Sequence, residues 1–206
     1  MIQQTHLKLI NFSCHNLKPI NLELKRNETM SFSGESGAGK SLLLRAIADL
    51  IPHQGDCYLN EINAKDIVAN GWRKQVAYFA AESQWWFDTI GEHFKTPLSS
   101  KIEAFLNAIG FSLDVMNWDV MRCSTGERQR LAIIRLLANE PAVLLLDEPT
   151  ANLDNENASQ VEDIFKQYQQ QTQCSIIWVS HNSAQKKRVS QRQFEIKQCE
   201  LVEVIT

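Results

Sequence analysis

The sequence predicts an α/β chain: a mostly parallel sheet covered by helices, an antiparallel β portion leading in at the N-terminus, and an inserted helical subdomain. Three observations predict it. Strand–loop–helix units recur around buried apolar strands, Thr29–Ser33 running towards a helix from Lys40 and Val143–Leu146 towards a helix from about Asn155. Apolar and polar residues alternate at Leu7 and Leu9 and again at Ile20, Leu22 and Leu24, as in half-buried strands. Between Glu82 and about Leu137 the strand character gives way to helix-like spacing. A chain of 206 residues suits one domain with such an insertion. We therefore expect a single domain over 1–206, with its core in 1–81 and 138–206 and the helical subdomain in 82–137.

The elements follow in order. Lys40–Leu50 has helical spacing at Leu43, Leu44, Ile47 and Leu50 and stops before Pro52. Cys57–Leu59 and Val76–Phe79 read as short strands. Thr89–Met121 reads as helical, with apolar positions at Ile102, Phe105, Leu106 and Ile109 and Gly110 as a C-terminal stop. The α/β pattern then returns as strand Val143–Leu146, helix Asn155–Gln170, strand Ser175–Val179 and helix Ser183–Val189, and the end of the chain, FEIKQCELVEV, alternates like a hairpin.

Composition narrows the function classes. Apolar residues make up 44% and charged residues 22%, a globular balance. A net charge of −3 and a pI near 6.0 lack the basic footprint of nucleic-acid binding, so no nucleic-acid partner is expected. The run Lys186-Lys187-Arg188, with Arg192 nearby, reads as a solvated helix face. The best apolar stretch, Leu131–Leu146, is interrupted by Arg135, Glu140 and Pro141, so no membrane span is predicted, and MIQQTHLKL lacks a secretory signature. Five scattered cysteines without a CxxC pair argue against a disulfide framework or zinc site and point to the reducing cytoplasm.

Two motifs carry chemistry. Gly34-Glu35-Ser36-Gly37-Ala38-Gly39-Lys40-Ser41 matches GxxxxGK[ST], preceded by an apolar strand and followed by an amphipathic helix. Its glycines let successive N–H groups turn inward on phosphates at a helix N-terminus, Lys40 reaches the β- and γ-phosphates and Ser41 ligates Mg²⁺. Val143–Leu146 ends in Asp147-Glu148, two acids at a strand's carboxyl end, where ligands of open α/β sheets bind. Asp147 is expected to hold Mg²⁺ through water and Glu148 to orient or deprotonate an attacking water. His181 ends a further apolar strand, Ile176–Val179.

With these motifs the chain resembles the ATP-binding cassette (ABC) ATPase family over nearly its whole length. Cys123-Ser-Thr-Gly-Glu-Arg-Gln-Arg130 looks like the family's LSGGQ-type signature, Ala151-Asn-Leu-Asp154 like its D-loop, and Ser180-His181 like its switch histidine. The resemblance implies a P-loop NTPase core and an ATP site formed by Gly34, Glu35, Ser36, Gly37, Ala38, Gly39, Lys40, Ser41 and Leu42, with Lys40, Glu148 and His181 catalytic. It also implies ATP and Mg²⁺ as cofactors, with the metal on Ser41 and Asp147. Two cassettes, here a homodimer, would sandwich two ATP molecules head to tail. Ser124, Thr125, Gly126 and Glu127 would then serve the partner's ATP from the N-terminal end of the Glu127–Leu137 helix, with Asp154 at the seam.

The chain departs from that family at several points. Cys123 stands for the usual Leu and Thr125 for the first Gly of the signature, where a Cβ narrows the backbone options. The Q-loop glutamine falls on Ala81, which cannot ligate a metal, leaving Glu82 or Gln84 as substitutes. Upstream of the phosphate loop, Phe12 and His15 are the candidates for stacking on adenine, and Phe12 is better read as core. Trp85-Trp86-Phe87 reads as an aromatic docking patch in preference to a core cluster. The expected protein is thus an ATP-hydrolysing subunit, cytoplasmic and peripheral on the inner face of the cell membrane, driving a separately encoded integral membrane permease. The alternatives are a nucleotide-dependent regulator with weak or no hydrolysis, which the departures at Ala81 and Thr125 suggest, and a soluble mechanochemical ABC ATPase.

Overall fold

Two sheets organise the chain in a computed structural model that describes residues 4–95 and 97–204. The first sheet is antiparallel, built from β1 (Thr5–Ser13), β2 (Ile20–Lys25), β4 (Gln54–Leu59) and β5 (Ile62–Asn63) in the order β2-β1-β4-β5. The second contains β3 (Thr29–Gly34), β6 (Val76–Phe79), β7 (Val143–Asp147), β8 (Ser175–Val179), β9 (Arg192–Lys197) and β10 (Glu200–Val204). Its order is β10-β9-β3-β8-β7-β6, parallel except for the terminal β9–β10 hairpin. Helices α1 (Lys40–Ile47), α2 (Ala69–Gln75), α3 (Ser100–Ala108), α4 (Thr125–Leu137), α5 (Asn155–Thr172) and α6 (Ser183–Val189) complete the fold.

The apolar strands are buried on both faces because each face feeds a different core. Along β7, Val143 and Leu145 join one cluster with Leu43, Leu44 and the antiparallel sheet, while Leu144 and Leu146 join another with α3, α4 and α5. On β8 the same period of two sends Ile177 and Val179 to the first cluster and Ile176 and Trp178 to the second. Ile102, Phe105, Leu106, Ile109, Leu131 and Ile134, all within 82–137, therefore pack into a core continuous with the sheet. A polar stitch joins the two sheets. His6 on β1 lies 2.7 Å from Ser175 Oγ on β8, and that hydroxyl donates to the Lys25 carbonyl at 2.6 Å. Since the single hydroxyl proton goes to the carbonyl, His6 Nδ1 carries the proton it donates to Ser175.

Several sequence expectations need correcting. The stretch 89–121 is not one helical run. Only Ser100–Ala108 is α-helix, with short 3₁₀ turns at Gly91–His93, Leu113–Asn117 and Val120–Arg122 and a bridge between Thr89 and Asp119. Ser99 caps α3 by accepting the Ile102 N–H, and Gly110 ends it at φ +82°. Helix α1 ends at Ile47, because Asp49 turns left-handed at φ +56°, and Leu50 is left 44% exposed instead of joining the core. Helix α5 runs on to Thr172, where Gln173 closes it at φ +59°. The signature helix starts at Thr125, two residues earlier than expected. Among the described residues no helix is long and apolar enough to cross a membrane, and no disulfide forms.

Candidate functional site

The phosphate loop joins β3 to α1. Gly34, Gly37 and Gly39 take φ of +144°, +79° and +101°, and Gly39 caps α1. At Gly34 a Cβ would also lie 2.8 Å from the carbonyl oxygen of Ile196, so the loop passes against the β9 backbone with no room for a side chain. Lys40 is nearly buried and its Nζ donates to the carbonyls of Gly34 and Glu35, both at 2.9 Å. Burial pulls its pKa below the usual ammonium value, against the opposing pull of the Glu148 and Asp147 carboxylates. A cavity of about 760 Å³ opens beside the loop. Glu35, Ser36, Gly37, Ala38, Gly39 and Leu42 line it together with His15 and the Lys197–Cys199 turn.

Register places the second group of residues on the same sheet edge. Asp147 pairs with Val179 across β7 and β8, and Phe32 pairs with Val179 across β3 and β8, so Gly34, Asp147-Glu148 and Ser180-His181 all leave the carboxyl ends of adjacent strands. Glu148 sits at φ +48°, a left-handed backbone unusual for a residue with a Cβ. Its Oε1 lies 3.0 Å from His181 Nε2. Asp147 is buried and accepts at Oδ2 from the Tyr78 hydroxyl at 2.9 Å. Burial, then the Asp147 charge, pushes the Tyr78 phenol well above its ordinary range, so it remains a donor.

The signature residues sit elsewhere. None of Ser124, Thr125, Gly126, Glu127 or Asp154 lines the phosphate-loop cavity. Ser124 and Glu127 form a reciprocal capping box: Ser124 Oγ accepts the Glu127 N–H at 3.2 Å, and Glu127 Oε2 accepts the Ser124 N–H at 2.7 Å. Thr125 occupies the first turn of α4 with no positive φ, so the Cβ that departs from the family pattern meets no backbone strain. A Cβ at Gly126 would make ordinary contact at 3.5 Å with Leu153 of the D-loop. Asp154 caps α5, accepting the Asn157 N–H at 2.8 Å.

Phe12 is fully buried and stacks on His53 with centroids 4.6 Å apart, whereas His15 is exposed and faces the phosphate-loop cavity. Glu82 and Gln84 line a second cavity of about 440 Å³, together with Tyr78, Trp86 and Arg135. The aromatic triplet divides. Trp85 packs against the core, while Trp86 and Phe87 are 65% and 48% exposed. Arg135 lies over the rings of Trp85 and Trp86, at 4.3 and 4.8 Å, and burial lowers its pKa to about 10. His93 holds the turn by accepting the N–H groups of both Trp86 and Phe87 at 3.0 Å. Sequence reasoning missed Tyr78, Thr150 and Gln185, which no motif marks, and the Lys197–Cys199 wall of the cavity.

A family model described as "ABC transporter" matches residues 17–151. The chain belongs to the ABC transporter family. It is 35% identical over 182 residues to the lipoprotein-releasing system ATP-binding protein LolD of Saccharophagus degradans, an alignment covering 81% of this chain and 79% of LolD. It is 32% identical to the arginine transport ATP-binding protein ArtP of Haemophilus influenzae, covering 96% of this chain and 90% of ArtP. Among solved structures it matches the dimeric post-hydrolysis state of the ATP-binding cassette MJ0796 bound to ADP and Pi. That match has a TM-score of 0.80 and 25% identity, with 95% of this chain and 96% of MJ0796 covered. The fold is that of an ABC ATPase cassette.

Proposed function

We propose that the chain is an ATP-binding and ATP-hydrolysing subunit that drives a separately encoded membrane permease by ATP-dependent pairing with a second cassette, here a second copy of itself. One observation supports this above the rest: the phosphate loop, Asp147-Glu148 and His181 converge at the carboxyl ends of adjacent strands, while the signature turn lines no part of the phosphate-loop cavity. A site so divided is complete only when another cassette supplies Ser124–Glu127. In this reading 82–137 is the helical arm of a single cassette, and the protein sits peripherally on the cytoplasmic face of the membrane.

The residues take the following roles. The N–H groups of Gly34–Leu42 cradle the phosphates, and Lys40 leaves its two carbonyl partners for the β- and γ-phosphates. Glu148 orients the attacking water and takes its proton as the water oxygen bonds to the γ-phosphorus and the bridging oxygen leaves with the β-phosphate. His181, held on Glu148, is placed to contact the γ-phosphate. The Ser41 hydroxyl and Asp147 carboxylate are hard oxygen donors of the kind Mg²⁺ takes alongside phosphate and water, and they would hold that ion, which neutralises phosphate charge. Trp86 and Phe87 present the exposed apolar surface to which the permease docks.

An ATPase assay on the purified chain tests the reading. Glu148→Gln should keep ATP binding and lose turnover by two orders of magnitude or more, on the scale of about 10²–10⁴ typical of a lost general base. Equal rates for the two proteins would sink the assignment of Glu148. Affinity purification from membranes should bring down a multi-span membrane protein.

A further inference from the structure

A single buried amide ties together the two loops that carry Glu148 and His181. Gln185, on α6, is only 5% exposed. Its Oε1 accepts from the hydroxyl of Ser180, the residue before His181, at 2.7 Å. Its Nε2 donates to Thr150 Oγ1 at 2.8 Å, just before the D-loop, and to Glu162 Oε1 on α5, also at 2.8 Å. The amide can face only this way. The Glu162 carboxylate only accepts, and Arg188 grips it at 2.9 and 3.2 Å, so the NH₂ end must turn towards it. Ser180 Oγ accepts the Asn182 N–H at 3.1 Å, which leaves its own proton for Gln185. The amide is thus satisfied at both ends, and the network around it has one arrangement.

We propose that Gln185 is a positioning residue for ATP hydrolysis, clamping the His181 loop to the Glu148–Asp154 segment and so carrying D-loop movements at the cassette seam to His181. It touches no substrate. The inference rests on the roles given above to Glu148 and His181.

The full-length chain tests it, with turnover, KM for ATP and melting temperature measured for Gln185→Met, Gln185→Glu, the exchanged pair Glu162→Gln with Gln185→Glu, and Glu148→Gln. Gln185→Met keeps length and apolar packing but deletes all three bonds. Its kcat should fall about tenfold or more while KM changes less than about twofold, the split expected when transition-state geometry is lost and ground-state binding kept. Gln185→Glu sets a carboxylate against Glu162 and should lose turnover similarly. In the exchanged pair the carboxylate at position 185 accepts from Ser180, Thr150 and the amide at position 162, so turnover should return to within about threefold of the parent.

A folded Gln185→Met variant with parental kcat overturns the inference. So does an exchanged pair that regains its melting temperature but not its turnover, because the network would then be structural only. If Gln185→Met does not fold, the exchanged pair decides alone. If Glu148→Gln loses turnover while Gln185→Met keeps it, only the Gln185 inference fails. If Glu148→Gln turns over normally, the site reading fails and takes the inference with it.

Discussion

His6 makes the stability of this chain depend on pH in a calculable way. The imidazole is 2% exposed and donates through Nδ1 to Ser175, whose own proton is committed to the Lys25 carbonyl. Burial, reinforced by the Arg26 charge, moves its pKa from 6.5 down to about 4. An unfolded chain takes up a proton below pH 6.5, whereas the folded chain resists until about 4. Between those values the unfolded state binds more protons, so stability is full above pH 6.5 and falls as the pH falls. At about 1.36 kcal/mol per pKa unit the ceiling is ~3.4 kcal/mol, and ~2 kcal/mol of it is gone by about pH 5. Urea unfolding of the parent and of His6→Gln, at neutral pH and near pH 5, measures the difference, because the amide can still donate to Ser175 but does not titrate. The parent should lose about 2 kcal/mol more than the variant over that interval. Parallel pH dependence in the two proteins would show that His6 is not held neutral by the sheet junction.

Other perturbations separate the parts of the site. Tyr78→Phe removes a hydrogen bond to a carboxylate, worth about 1.5–3 kcal/mol, and should raise the Mg²⁺ concentration needed for tight nucleotide binding several-fold; an unchanged Mg²⁺ titration refutes a positioning role on Asp147. Ser124→Ala breaks the capping box and should cost about 1 kcal/mol of stability, while ATP-induced dimerisation measured in a Glu148→Gln background is lost and ATP affinity of the single chain is kept. Gly34→Ala forces a Cβ to within 2.8 Å of the Ile196 carbonyl and should abolish nucleotide binding, read by fluorescent-nucleotide titration. Trp86→Ala should leave the melting temperature and basal turnover intact but lose co-purification with the permease.

What could be read in advance follows from how local the causes are. The runs Val143–Leu146 and Ser175–Val179 announce strands buried on both faces, and the glycine loop specifies its own geometry, because those signals lie within a few residues. The stretch 89–121 misled because its apolar spacing is real but punctuated. Ser99 and Gly110 fix the ends of a nine-residue helix, and the flanking segments turn as 3₁₀ around Val115 and Val120. Helix α2 escaped notice because it buries only Trp72, whose Nε1–H reaches the Ile47 carbonyl at 2.9 Å. Tyr78 and Asp147 are 69 positions apart, and Gln185 and Thr150 are 35 apart. Pairings of that range depend on sheet order and helix placement, which no short window of residues contains.

On the role proposed for Glu148, its left-handed backbone sets heat tolerance against turnover. A side chain with a Cβ held at φ +48° costs on the order of 1 kcal/mol, a cost that glycine would not incur. Selection for thermal robustness alone would therefore favour glycine at this position and yield a tougher, inactive cassette. With Glu148 in the role proposed above, the acid would be kept by selection for hydrolysis, and the loop after β7 would be a place where stabilising the protein and keeping it active are opposing aims.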